Sequence, residues 1–193
     1  QSSAGSLIAA MNKTVNYANR NGVLVVSSPR DDGLDADHSG NYAFVPAQSG
    51  ASMAVSATGP LAWAYGNTDF TRVASYTNYG NSLVSVAAPG GDAAYAGNEN
   101  CTMPTATGTI TTACWVFDMV LSTSRAGYSW AAGTSMAAPA AAAVAAIAKQ
   151  MHPKLDAVAL ATFLQRTADD EGKKGNDPFY GKGFVNALRA CTQ

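Results

Sequence analysis

Hydrophobic positions along the chain alternate between helical spacing and short continuous runs. In residues 6–21 apolar side chains recur every third or fourth position, and Asn21-Gly22 ends this first predicted helix. The β-branched run at residues 23–28 follows directly and is typical of a strand buried on both faces. A helix followed at once by such a strand indicates α/β architecture.

The remaining elements continue this alternation. Short apolar runs predict further strands at residues 52–57, 74–77, 83–87, 115–121 and 128–131. Helices are predicted at residues 134–150, 156–167 and about 185–190. The helix at 134–150 is apolar on nearly every side, so we expect it to be buried all round. We find no repeat and no linker, and the sequence therefore predicts one domain over residues 1–193.

Composition narrows the class of protein. The 193 residues are 47% hydrophobic and 13% charged, with a net charge of −1. Such a balance argues against disorder and against a cationic surface for nucleic acid. The longest uncharged apolar stretch, residues 136–148, is shorter than the roughly 20 residues that a membrane span needs. We therefore expect a globular protein that binds neither nucleic acid nor membrane.

Three cysteines, Cys101, Cys114 and Cys191, leave two interpretations open. No Cys-x-x-Cys pair is present, so a structural zinc site has little support. Cys101 and Cys114 bracket a polar segment that a disulfide could close, but three buried thiols fit the sequence equally well. If Cys101 pairs with Cys114, Cys191 has no partner within the chain.

An acidic loop follows the first predicted strand and contains Asp31, Asp32, Asp35 and Asp37. Closely spaced carboxylates suit Ca²⁺, although this loop lacks the spacing of an EF-hand. A solvated acidic loop is the simpler interpretation. The sequence thus predicts no metal or other cofactor, with calcium as the open alternative.

The segment that indicates chemistry begins at Gly133 and reads Gly-Thr-Ser-Met-Ala-Ala-Pro. Ser135 would lie in the first turn of the apolar helix, where free N–H groups and the helix dipole favour developing negative charge. A nucleophilic serine benefits from both, because its tetrahedral intermediate carries an oxyanion. A serine at this point is more often only a helix cap, so the spacing alone does not decide.

The longer string resembles the nucleophile motif of the subtilisin-like serine proteases, the subtilases. Other segments resemble that family in the same order, at residues 22–33, 46–57, 74–80, 86–90 and 180–187. The resemblance covers nearly the whole chain. It implies a subtilisin-like three-layer α/β fold with a mostly parallel sheet and a buried nucleophile helix. It also implies that the N-terminal part of the domain is absent here, since the family's Asp and His precede its Ser.

The resemblance further implies a set of site residues. Ser135 would be the nucleophile of a secreted, extracellular endopeptidase, forming an acyl-enzyme with a peptide or protein substrate. Residues expected to line the substrate cleft are Ser27, Ser28, Pro29, Ser56, Ala57, Gly133 and Thr134. Asp31 falls where the family has an asparagine that donates to the oxyanion, and Arg30 replaces a glycine. An ionised aspartate can only accept hydrogen bonds and would repel the oxyanion.

Neither histidine of the chain fits the catalytic base. His38 lies in the acidic loop and His152 precedes a proline near a helix end, and neither has the family's His-Gly-Thr context. We therefore expect the triad Asp and His to come from the missing N-terminal half, which would be a partner of this chain. Two alternatives remain: a non-catalytic subtilase homologue that binds peptides or proteins, and a structural fragment without a role of its own.

Overall fold

A three-stranded parallel sheet organises the computed structural model, which describes residues 2–40, 42–105, 108–125 and 127–193. Its strands, in spatial order, are β1 (Val26–Ser27), β2 (Met53–Thr58) and β3 (Val86–Pro89). Val26 lies opposite Met53, and Val55 lies opposite Val86. Every residue of β2 is buried, so both faces of the sheet must be covered.

Helices cover one face of the sheet. They are α1 (Ser2–Arg20), α2 (Thr134–Met151), α3 (Ala157–Thr167) and α4 (Ala187–Thr192). Helix α2 packs on all three strands, and α3 and α4 pack against α2. Side chains alternate along β2, so Met53, Val55 and Ala57 join the core beneath α2 while Ala54 joins a second cluster on the opposite face. The predicted α/β architecture with a parallel sheet is confirmed, and no helix of the described residues is long and apolar enough to cross a membrane.

Helix α2 is buried on one side only, which corrects the expectation that it is buried all round. Its buried residues are Thr134, Ala137, Ala141, Val144, Ala145 and Ala148. Ala143, Ala146 and Ile147 lie on another side of the helix and are exposed, Ile147 by 39%. These side chains are apolar, and yet no described residue covers them.

Two antiparallel strand pairs separate β3 from α2. The first consists of β4 (Asn100–Thr105) and β5 (Gly108–Ala113), and the second of β6 (Val120–Ser124) and β7 (Gly127–Ala131). A disulfide bond joins Cys101 to Cys114, which decides between the two interpretations of the cysteines, and Cys191 is free. The sequence did not predict β4 and β5, because their threonine-rich residues are mostly exposed and show no apolar alternation.

Three strand predictions need correction. Residues 74–77 form a turn, in which the Thr77 N–H donates to the Ala74 carbonyl at 3.3 Å and the Ser75 N–H donates to the Asp92 carboxylate at 2.8 Å. Residues 115–121 begin as a 3-10 helix (Cys114–Asp118), and only then enter β6. The predicted strand at 23–28 shortens to β1, which pairs with β2 alone in the described chain.

Helices α3 and α4 begin and end within about two residues of their predicted bounds. Asp156 caps α3, its carboxylate accepting from the Ala159 N–H at 2.8 Å. Asn186 caps α4 in the same way through the Arg189 N–H at 2.9 Å. These caps stabilise the first turns of α3 and α4, which pack against α2.

Truncating Leu164 should destabilise the protein strongly. This side chain is 1% exposed in the core between α3 and α2, so Leu164→Ala should lower the free energy of unfolding by about 2–5 kcal/mol through lost burial and a cavity. Leu188→Ala, at a leucine that is 73% exposed, is the matched control and should change it by less than about 0.5 kcal/mol. Urea denaturation measures both, and equal losses would contradict this account of the core.

Candidate active site

Ser135 is exposed in the first turn of α2. The preceding Gly133 donates its N–H to the Gly90 carbonyl at 3.0 Å, which ties the start of the helix to the end of β3. A Cβ added at Gly133 would lie 3.0 Å from a carboxylate oxygen of Asp31, so a glycine leaves the room that this approach requires. The Ser135 hydroxyl has no hydrogen-bond partner among the described residues.

Asp31 lies beside the start of α2. Its Oδ1 accepts from the Thr134 N–H at 2.8 Å and from the Thr134 hydroxyl at 2.7 Å. The carboxylate thus satisfies one of the free donors of the helix and complements the positive end of its dipole. Asp31 therefore accepts hydrogen bonds, as expected of an aspartate at the position where the family resemblance implies a donating asparagine.

Asn78 shapes the loop that carries Asp31. This fully buried amide accepts from the N–H groups of Asp32 and Leu34 at 3.1 and 2.9 Å, and donates to the Pro29 carbonyl at 2.9 Å. The loop turns at Arg30, whose φ of 79° is the left-handed conformation that glycine adopts readily. Sequence reasoning missed Asn78, since a bond between residues 44–49 positions apart leaves no local pattern.

Tyr76 joins the end of β3 to the site. Its hydroxyl donates to the carbonyl oxygens of Gly90 and Gly91 at 3.1 and 2.7 Å. Burial, and then the nearby charges of Asp31 and Asp92, raises the pKa of this phenol. The group therefore stays protonated and remains a donor.

Asp92 is a buried carboxylate that follows this turn. It accepts from the N–H and the hydroxyl of Ser75, both at 2.8 Å, and forms an ion pair with Arg72. Burial alone would raise the pKa of Asp92, but hydrogen bonds from Ser75, Arg72 and Ala93 outweigh it and hold the pKa below its usual value. Sequence reasoning missed this residue as well.

The predicted cleft residues divide into two groups. Gly133 and Thr134 lie against Asp31 and Ser135. Ser28 is half-buried and Pro29 is buried in the loop beneath Asp31. The Ser27 hydroxyl bonds instead to that of Ser52 at 2.7 Å.

Ser56 and Ala57 form the second group. Both are buried, on opposite faces of β2. The Ser56 hydroxyl donates to the Phe179 carbonyl, and Ala57 packs beneath α2. In the described chain the structure therefore does not bring either side chain to the surface beside Ser135.

Comparison with known proteins identifies the family. The model of the Subtilase family matches residues 1–183. The chain belongs to the subtilase family. It is 33% identical over 189 residues to alkaline elastase YaB of Bacillus sp. (strain YaB), covering 98% of this chain and 38% of that relative. It is 30% identical over 182 residues to subtilisin Savinase of Lederbergia lenta, covering 94% of this chain and 51% of the relative.

Solved structures agree on the fold. The subtilase chain resembles a lanthipeptide protease with a TM-score of 0.75 and 27% identity, over 99% of this chain and 56% of that one. It also resembles the epidermin leader peptide processing protease EpiP of Staphylococcus aureus, with a TM-score of 0.67 and 22% identity. The matches cover between about a third and just over half of these relatives, so the chain is part of a subtilase domain.

The two histidines of this subtilase chain lie elsewhere. His38 is largely exposed and bonds to Asp35 at 2.7 Å, and this bond, with the charge of Asp35, raises the pKa of its imidazole. His152 lies at the C-terminal end of α2, and its ring packs on Phe163 with centroids 4.7 Å apart. Since α2 has 18 residues, His152 is roughly 25 Å from Ser135.

The carboxylates of the acidic loop bind separate partners. Asp32 pairs with Arg30 at 3.0 Å, and Asp37 accepts from the N–H groups of Asn81 and Ser82 at 2.7 and 3.0 Å. No three His, Cys, Asp or Glu side chains gather into a possible metal site within the described ranges.

Replacing Asp92 should weaken the fold in a pH-dependent way. Asp92→Asn removes a charge that accepts several hydrogen bonds, so it should lower the free energy of unfolding at pH 7 by about 1–3 kcal/mol. Because the folded-state pKa is depressed, this stabilisation is complete above the unfolded-state pKa of about 4 and is lost as pH falls through the folded-state value.

We therefore measure the free energy of unfolding of the native protein and of Asp92→Asn by urea denaturation, from neutral pH down to about pH 2. The difference between the two free energies should narrow as the pH falls. Asp32→Asn, at a largely exposed ion pair, is the control and should change stability by less than about 0.5 kcal/mol at any of these pH values. A difference for Asp92→Asn that stays constant with pH would show that its charge contributes nothing.

Proposed function

We propose that this chain is the C-terminal part of the catalytic domain of a secreted serine endopeptidase, with Ser135 as nucleophile. One observation carries the proposal: Ser135 is exposed and unbonded at the N-terminus of α2, beside the Asp31 loop. The disulfide between Cys101 and Cys114 supports an oxidising, extracellular location. The substrate would be a peptide or protein, and the reaction needs no cofactor.

In the proposed reaction the Ser135 Oγ attacks the carbonyl carbon of the scissile peptide bond, and its proton passes to a histidine outside this chain. The tetrahedral intermediate collapses by breaking the C–N bond. The amine leaves with that proton, and an ester on Ser135 remains. A water molecule then hydrolyses the ester and releases the acid.

The backbone N–H of Ser135 is the donor available to the oxyanion. The Thr134 N–H donates to Asp31, while those of Met136 and Ala137 donate to the Gly133 carbonyl at 2.9 and 3.3 Å. The Ser135 N–H therefore keeps no described acceptor, and it lies at the positive end of the helix dipole. Asp31 occupies the position of the second donor but offers only acceptor oxygens while it is ionised.

The rest of the domain has two surfaces on which to join this chain. Strand β1 pairs only with β2 in the described residues, so its other edge is free to extend the sheet. The exposed apolar side of α2, with Ala143, Ala146 and Ile147, needs a cover. We infer that the missing N-terminal half binds here and supplies the triad Asp and His.

Labelling with a serine-directed fluorophosphonate tests the nucleophile. In the complete catalytic domain that contains this chain, we expect stoichiometric labelling of Ser135, identified by peptide mass spectrometry, and none in Ser135→Ala. Ser129→Ala, at an exposed serine of β7 six residues earlier, is the matched control and should label normally. Failure of the complete domain to label Ser135 would overturn the proposal.

Asp31→Asn distinguishes an impaired enzyme from a binding module. Removing one oxyanion donor costs about 10²–10³ in kcat in subtilisin, a relative of this chain, and we expect Asp31→Asn to recover a gain of that order. The amide still offers an oxygen to Thr134, so the start of α2 should be preserved.

Peptidase kcat on the complete domain is the measurement. The acceptor-only geometry of Asp31 is the observation that favours the second candidate, a peptide- or protein-binding subtilase homologue. Absence of peptidase activity in both native protein and Asp31→Asn would select that candidate.

A further inference from the structure

An apolar cavity of about 280 Å³ lies at the carboxyl ends of β2 and β3. Four aromatic side chains line it: Trp63, Phe70, Phe117 and Trp130. Backbone at Pro89 and Gly91 closes the side towards the sheet. The one charged group of the lining, Asp118, uses both carboxylate oxygens on the N–H groups of Ala62 and Trp63, at 2.8 and 2.7 Å. The cavity is therefore suited to an uncharged, apolar occupant.

The cavity adjoins the nucleophile through two short connections. Trp130 lies on β7, five residues before Ser135. Gly91 follows Gly90, whose carbonyl accepts from the Gly133 N–H at 3.0 Å. A peptide extending from Ser135 towards the end of β3 would therefore meet the cavity within a few residues.

The cavity walls are held in place before anything binds. Besides the two bonds of Asp118, its carbonyl accepts from the Asp92 N–H at 3.0 Å, which fixes the 3-10 helix Cys114–Asp118 to the turn after β3. The Phe117 ring meets that of Trp130 edge-on, with centroids 5.6 Å apart, and that of Trp63 at 6.3 Å. A preformed site binds without the cost of ordering its own side chains.

Size and position indicate the occupant. Pockets for drug-sized ligands span about 300–1,000 Å³, so a volume of about 280 Å³ suits one large side chain better than a separate molecule. The free edge of β1, where the rest of the domain would join, is at the opposite side of the sheet from β3. An occupant from the missing half is thus less well placed than a substrate at Ser135.

We propose that this cavity is a subsite for a large apolar or aromatic side chain of the peptide being cleaved. The inference rests on the proposed function, in which Ser135 attacks that peptide. The cavity lies beside the end of β3. Its walls come from residues 58–70, the turn after β3, residues 117–120 and Trp130 of β7.

The test uses the complete catalytic domain and quenched fluorescent peptides that carry Phe or Ala at each of the first three positions on either side of the scissile bond. We expect kcat/KM to favour Phe by at least about tenfold at one position. Trp130→Ala should abolish most of that preference. Phe70→Ala should reduce the preference for Phe. Phe70 lies at the rim of the cavity and is 46% exposed, so this substitution should disturb the fold less than Trp130→Ala. Tyr128→Ala, at the 76% exposed aromatic of the same strand as Trp130, is the matched control and should leave the preference intact.

Labelling of Ser135 by a small fluorophosphonate separates this subsite from the proposed function. Native protein and Tyr128→Ala should label at the same rate, since the reagent carries no peptide and Tyr128 lies outside the cavity lining. Normal labelling with equal kcat/KM for Phe and Ala peptides at every position would overturn the subsite alone. So would the same loss of preference in Tyr128→Ala as in Trp130→Ala.

If the fluorophosphonate does not label Ser135 in the native domain, the proposed function fails. The subsite is then tested by measuring peptide binding to the cavity. Tryptophan fluorescence then follows titration with the Phe and Ala forms of the test peptides. Tighter binding of the Phe peptide, lost in Phe70→Ala, supports the apolar subsite. Equal binding of the two peptides overturns it.

Discussion

The N-terminus of α2 must find acceptors for its free N–H groups, and the loop after β1 provides one through Asp31. The bonds from Thr134 to Asp31 join residues 103 positions apart and tie the start of α2 to the loop after β1. Other contacts support this one: Asn78 shapes the loop, and the Gly90 carbonyl accepts from Gly133. Together with the packing of α2 on the sheet, they set the position of Ser135 relative to the strand ends.

The same junction explains why an aspartate is tolerated where an amide is expected. At a helix N-terminus a carboxylate gains from two hydrogen bonds and from the dipole, so Asp31 suits the resting fold. The tetrahedral intermediate of the proposed reaction would make the opposite demand, because it needs donors. Under the proposed reaction, folding and chemistry therefore favour different residue types at position 31, and this chain carries the one that favours folding.

The sequence predicted what depends on local pattern or on a long motif. The start of α2 followed from residues 133–139, and the position of Asp31 near the start of α2 followed from the family resemblance of residues 22–33. Asn78, Asp92 and Asp118 were missed, because each uses its side chain to satisfy backbone far away along the chain. The turn at 74–77 was mistaken for a strand for the same reason.

Burial of α2 was overestimated because its apolar residues are suited to a complete domain, in which more of the helix would be covered. This chain is only part of such a domain. Its uncovered residues, such as Ile147, remain apolar nonetheless. Strands β4 and β5 escaped prediction because an exposed pair of threonine-rich strands needs no apolar face.

The disulfide between Cys101 and Cys114 has a consequence for durability. It closes a strand pair whose described residues are mostly exposed, and the proposed endopeptidase would meet proteases, including its own copies. A single cut between residues 102 and 113 would leave both new ends covalently tethered at the base of the strand pair. The polypeptide that leads on to Trp130 and Ser135 would stay attached to the sheet, so a cut there need not release the half that carries Ser135.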